Sequence, residues 1–176
     1  MSRHRLTAWC ALVAAVAACG GDDDTGSTCA SPVDGVDDAV ALVDAALAEV
    51  EAAYGTPQEY FEISASAEGV SVIVAAESPD GTVAERSLCG DGFVPPEAVG
   101  AASGFTFTAA AVEFDPDAVF EQMRAELDDP DIVDFAIQAG SSDGSVIYDA
   151  SIRSAAGGTL FVLLGPDGEI LGTQAG

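Results

Sequence analysis

The sequence predicts an α+β fold built from two helix-plus-antiparallel-strand units, set in tandem so that the helices pack on antiparallel sheet. Three observations predict it. Apolar residues recur every three or four positions in two separate segments, as on the buried side of an amphipathic helix. Each such segment is followed by stretches in which apolar and polar residues alternate, the two-residue period of a half-buried strand. Turn-forming Gly, Pro and Asp residues punctuate those stretches.

The first helix is expected over residues 34–54, where Val36, Val40, Val43, Leu47, Val50 and Tyr54 form one apolar stripe. Asp34 is the expected N-cap, and Asp37 and Asp38 suit the positive end of the helix dipole. Gly55 and Pro57 stop the helix. Strands are expected over 58–67, with Phe61, Ile63 and Ala65 on one face, over 69–76, with Val70, Val72 and Val74, and over 82–89. The turn Ser78-Pro79-Asp80-Gly81 links the last two.

Residues 93–103 are rich in Pro, Ala and Gly and read as a connection, and 104–114 as a further strand. Asp115 then caps a second helix with Pro116 at its first position, and Val119, Phe120, Met123 and Leu127 line its apolar side. It ends at Asp128-Asp129-Pro130. Strands follow over 132–139, 145–154, 159–164 and 169–174, with turns at Ser142-Asp143-Gly144 and Gly165-Pro166-Asp167-Gly168.

The halves match at a constant offset of 73, which superposes Leu47, Val50, Tyr54 and Pro57 on Phe120, Met123, Leu127 and Pro130. This divides the body into a first unit over residues 33–92, a connection over 93–103 and a second unit over 104–176. The order of elements resembles the small exported modules of the PepSY and beta-lactamase-inhibitor-protein type. That resemblance rests on element order, implies fold alone and transfers no site residue.

The N-terminus carries Arg3, His4 and Arg5, then an apolar run over residues 6–18 and Cys19-Gly20-Gly21. A basic start and a short apolar run form a secretory signal. The run is too short to span a bilayer, which takes about 20 apolar residues. Val16-Ala17-Ala18-Cys19 looks like a lipobox, in which the cysteine takes lipid and cleavage falls just before it. The resemblance implies a signal peptide over residues 1–18 and a bacterial lipoprotein anchored through Cys19, on the periplasmic or extracellular face of its membrane. Acyl chains contribute about 0.8 kcal/mol per buried methylene, enough in pairs for lasting attachment. Residues 19–32, dominated by Gly, Asp, Ser and Thr, read as a flexible acidic tether.

Without the signal, three arginines face thirty carboxylates, a net charge of −27. Phosphate contacts need cations, so nucleic acid is excluded as a partner. The chain is 49% hydrophobic and can therefore build a core. Cys29 and Cys89 remain once Cys10 leaves with the signal and Cys19 takes lipid. An even pair in an oxidising compartment is expected to form a disulfide. Closing a loop of about 60 residues stabilises by roughly 4 kcal/mol in the chain-entropy model.

The processed chain has no histidine or lysine, because His4 is the only histidine and there is no lysine. Histidine-activated nucleophiles, Schiff-base lysines and Cys/His zinc sites are thereby excluded. No phosphate-binding glycine motif opens a helix. A carboxylate-based hydrolase is the one catalytic option left, yet the only tryptophan, Trp9, is lost with the signal. The expected protein is not an enzyme and needs no cofactor: it is a binding, inhibitory or sensing module for an envelope protein or small ligand. The alternative is an acidic cation-binding envelope protein, with calcium held by Asp128, Asp129, Asp131 and Asp134, although these lack the spacing of an EF-hand loop.

Overall fold

A computed structural model describes residues 33–75, 83–89, 92–93, 97–100, 104–127, 130–154 and 157–176, with backbone alone between 83 and 100. The helices are α1 (Val36–Val40), α2 (Val43–Tyr54) and α3 (Pro116–Glu126). The strands are β1 (Glu59–Ser66), β2 (Gly69–Val74), β3 (Val83–Cys89), β4 (Gly92–Phe93), β5 (Glu97–Gly100), β6 (Phe107–Thr108), β7 (Asp131–Ala139), β8 (Val146–Arg153), β9 (Thr159–Leu164) and β10 (Ile170–Ala175). The fold is α+β, and every strand pairing is antiparallel.

One sheet runs in the order β10-β9-β8-β7-β1-β2-β3-β4, with β5 beside β3 and β6 beside β1. Strands β2 to β4 therefore lie on one side of the β1·β7 pair and β8 to β10 on the other. β1 bulges at Phe61, where the register against β2 shifts between Tyr60 and Glu62. β7 bulges at Val133, where the register against β8 shifts between Ile132 and Asp134.

The first helical segment is two helices, not one. Its stripe steps by four to Val40 but by three to Val43, and at that step the Leu42 N–H donates to Ala39 O, three residues back (2.9 Å). Its N-cap is Gly35, with no side-chain cap, so Asp34 does not play that part. Val36, Val40, Val43, Leu47 and Val50 are buried as the stripe requires. Tyr54, the last of the series, is exposed. Gly55 ends α2 at φ 91°, a backbone angle that glycine adopts without steric cost.

Asp115 caps α3 as expected, accepting from the Asp117 and Ala118 N–H groups, with Pro116 following it. The strand expected over 104–114 shrinks to Phe107–Thr108 and a 3-10 turn at Ala109–Ala111. Three consecutive alanines offer no alternation to hold a strand. The Glu113 backbone is held instead by the Tyr148 hydroxyl, which donates to its carbonyl and accepts from its N–H, both at 3.1 Å.

One face of the sheet is the core. Ile63, Ala65, Val70, Val72, Val74, Phe135, Ile137, Tyr148, Ala150, Ile152, Val162 and Leu164 point into it beneath the helices. Phe135 anchors α3 through ring contacts with Phe114 (5.4 Å), Phe120 (5.8 Å) and Tyr148 (6.2 Å). At the β9–β10 turn Gly168 lies so close to α3 that a Cβ there would sit 2.7 Å from Val119 Cα. Among the described residues, no helix is long and apolar enough to cross a membrane.

Candidate functional site

Alternation along each strand sends every second residue to the face that carries no described helix. Cross-strand register places Ser66, Asp134 and Ser151 in one row, and Ser64, Ala136, Asp149 and Leu163 in the next. A third row holds Glu62, Gln138 and Ile147. Phe161 stands opposite Ser151 and Gln174. Four large apolar side chains at this end meet solvent: Ile147 is 39% exposed, Phe161 43%, Leu163 38% and Leu171 58%. An open groove of 320 Å³ runs between β8 and β10, past Asp149, Phe161, Leu163, Gly172 and Gln174.

Asp149 lines this groove, and Asp134 lies diagonal to it on the adjacent strand, because Asp134 faces Ser151 and Ala136 faces Asp149. Partial burial raises both carboxyls above their ordinary value, and the charge of Asp149 raises Asp134 further. No described donor or cation compensates either one. Glu62, on the same face, accepts from Gln138 Nε2 at 3.4 Å.

Two of the described cations are engaged in ion pairs. Arg124 pairs with Asp37 across α3 and α1 and stacks over the Phe120 ring, its guanidinium carbon 5.6 Å from the centroid. Arg153 pairs with Asp131 at 3.3 Å. Between these two pairs lies a 430 Å³ cleft lined by Asp34, Asp37, Asp38 and Asp131. Among the described residues no three acidic side chains converge as a metal ion would require.

Of the four aspartates expected to hold calcium, Asp128 and Asp129 lie outside the described residues. Asp131 is engaged by Arg153, and Asp134 lies beyond the Val133 bulge on the sheet face that carries no described helix. Cys19 and Cys29 also lie outside the described residues, and Cys89 is described by its backbone alone, at the end of β3 opposite Gly92.

The apolar groove was not singled out from the sequence, although a signal for it exists. Residues 160–164 are apolar without interruption, whereas a strand with one wet face alternates, so this run marks apolar side chains on both faces. Comparison with known proteins finds no matching family model, no matching curated protein and no matching solved structure.

Proposed function

We propose that this chain is a non-catalytic exported lipoprotein, anchored through Cys19, that binds another protein of the cell envelope through the sheet face that carries no described helix. The observation that carries the reading is the exposed apolar group Ile147, Phe161 and Leu163 on one face of an otherwise acidic chain, with Leu171 exposed at the neighbouring bulge of β10. Contiguous exposed apolar surface is costly in water, and where it occurs it marks an interaction site. The groove is open and lined by side chains from three strands, which suits a protein surface better than a small ligand that needs enclosure.

The cation-binding alternative has less support. Arg153 and Arg124 already neutralise Asp131 and Asp37 beside the acidic cleft.

We also propose that the two halves are a tandem repeat. The bulges at Phe61 and Val133 fall at the third residue of β1 and of β7, and each is followed by an outward carboxylate, Glu62 or Asp134. A bulge re-aims the strand after it, and these two recur at the same strand position although they stand 72 residues apart, one fewer than the offset that superposes the helices.

A photoreactive amino acid at Phe161, in the protein at its native level in the membrane, tests the binding surface. It is expected to crosslink to one discrete protein, while the same probe at Glu121 on the helical layer yields none. Equal crosslinking from both positions would refute the assignment. The anchor is tested separately: Cys19→Ser is expected to abolish fatty-acid incorporation, and unchanged incorporation would refute it. The expected Cys29–Cys89 disulfide predicts no titratable thiol in the exported, denatured, unreduced protein.

A further inference from the structure

The same face carries an electrostatic mismatch that identifies the chemistry of its partner. Asp134 and Asp149 are like charges, diagonal neighbours on β7 and β8, partly withdrawn from water and without a compensating donor or cation among the described residues. Like charges close together on a sheet face destabilise the fold, and desolvation adds to the cost. Asparagine or serine would serve the sheet as well, and serine does occupy neighbouring outward positions at Ser64, Ser66 and Ser151. Among the described side chains the two cations are already engaged, Arg124 by Asp37 and Arg153 by Asp131.

Beside Asp149, and one strand over from Asp134, the groove continues between Phe161 and Leu163. An occupant that suits both parts carries a positive head on an apolar body, or a cation flanked by apolar side chains. Anionic lipid headgroups and nucleic acid have the wrong sign. A chain with 30 acidic residues against 5 basic ones also draws a cationic surface towards itself before contact.

Resting on the reading of this face as a docking surface, we propose that its occupant is a partner protein that places an arginine or lysine between Asp134 and Asp149 and apolar side chains against Phe161 and Leu163. Arginine suits the site better, because its planar fork reaches two carboxylates while its stem covers apolar surface.

Two synthetic peptides test this, identical except for a central arginine or its neutral isostere citrulline, each flanked by leucine and phenylalanine. Binding to the full chain, purified from its membrane in detergent, is followed by the anisotropy of a neutral fluorophore. The arginine peptide is expected to bind about tenfold more tightly than the citrulline peptide. Asp134→Asn with Asp149→Asn is expected to erase that preference. Glu49→Gln with Glu121→Gln removes the same charge from exposed helix positions and is expected to preserve it.

Equal binding of the two peptides, lost in Phe161→Thr, would overturn the cation while leaving the apolar docking face intact. A preference weakened equally by both double variants would reduce the effect to general attraction and overturn the proposal. Binding of neither peptide, or binding indifferent to Phe161→Thr, would overturn both the cation and the docking face. Thermal melting of each variant separates loss of binding from loss of fold.

Discussion

The two ends of the sheet share a core face and differ in the face they turn to water. Over β1 and β2 the outward positions hold Glu62, Ser64, Ser66 and Ser71, with Ile73 half-buried among them. Over β8 and β9 they hold Ile147, Phe161 and Leu163, all exposed, around Asp149. Inward, both ends are uniformly apolar. Folding demands apolar residues on the inner face alone, so the first end is what stability requires of this architecture. The second carries apolar surface that folding does not explain, which is why the docking surface is proposed there.

The largest expected effect lies in the second half's core. Phe135→Ala removes the ring that joins Phe114, Phe120 and Tyr148, and is expected to cost about 3–5 kcal/mol. A loss of that size is comparable to the whole stability of a small domain, and chemical denaturation would measure it. Retention of wild-type stability would mean that α3 is not held through this cluster.

A smaller and more diagnostic contrast sets the two buried tyrosines against each other. The Tyr148 hydroxyl satisfies both backbone groups of Glu113, so Tyr148→Phe is expected to cost roughly 1–3 kcal/mol. The Tyr60 hydroxyl is buried with no partner among the described residues, and burial pushes its pKa up to about 12, with Glu51 adding to the shift. Tyr60→Phe is therefore expected to be neutral or to stabilise by up to about 1 kcal/mol. Equal losses in the two variants would show that Tyr60 has a partner in the folded protein.

Smaller again is the pH response of the outer face. The folded protein holds Asp134 and Asp149 above the ordinary aspartate value, so it favours their neutral forms. Their contribution to stability is complete below that value and is lost as pH rises through the raised folded values. Asp134→Asn with Asp149→Asn is expected to flatten this part of the pH profile. At neutral pH it should stabilise by about 0.2–1 kcal/mol, the scale of a like-charge cross-strand contact. Asp143 acts in the opposite sense: hydrogen bonds from Ser141 and Ser145 lower it to about 2, so its contribution persists above the ordinary aspartate value and is lost only in strong acid. A double variant less stable than the parent at neutral pH would show that the carboxylates are compensated.

Most of the inner face was legible because burial imposes a period on the sequence. Val36 to Val50, Val70 to Val74 and Val119 to Met123 repeat at the spacing of the elements they form. The break between α1 and α2 was not legible as a break, since a step of three at Val40–Val43 is also ordinary within one helix. The strand expected over 104–114 failed because Phe105, Phe107 and Val112 suggested alternation across an alanine run that turns instead.

The outer face was harder to read, because it depends on which residues become neighbours. Asp134 and Asp149 meet only through the β7–β8 register, and that register is shifted by the Val133 bulge, which no residue type announces. The calcium reading grouped Asp134 with Asp131 because they are close in sequence. The bulge between them and the Arg153 ion pair set them in different surroundings.

Hydrogen exchange on the protein in its own membrane, and again after purification, tests the contrast between the two ends most directly. If β8 to β10 form the docking face, amides of β9 and β10 are expected to exchange more slowly in the membrane than in the purified protein, while those of β1 and β2 exchange alike in both. Identical exchange over β9 and β10 in the two samples, or protection that appears over β1 and β2 instead, would contradict the assignment.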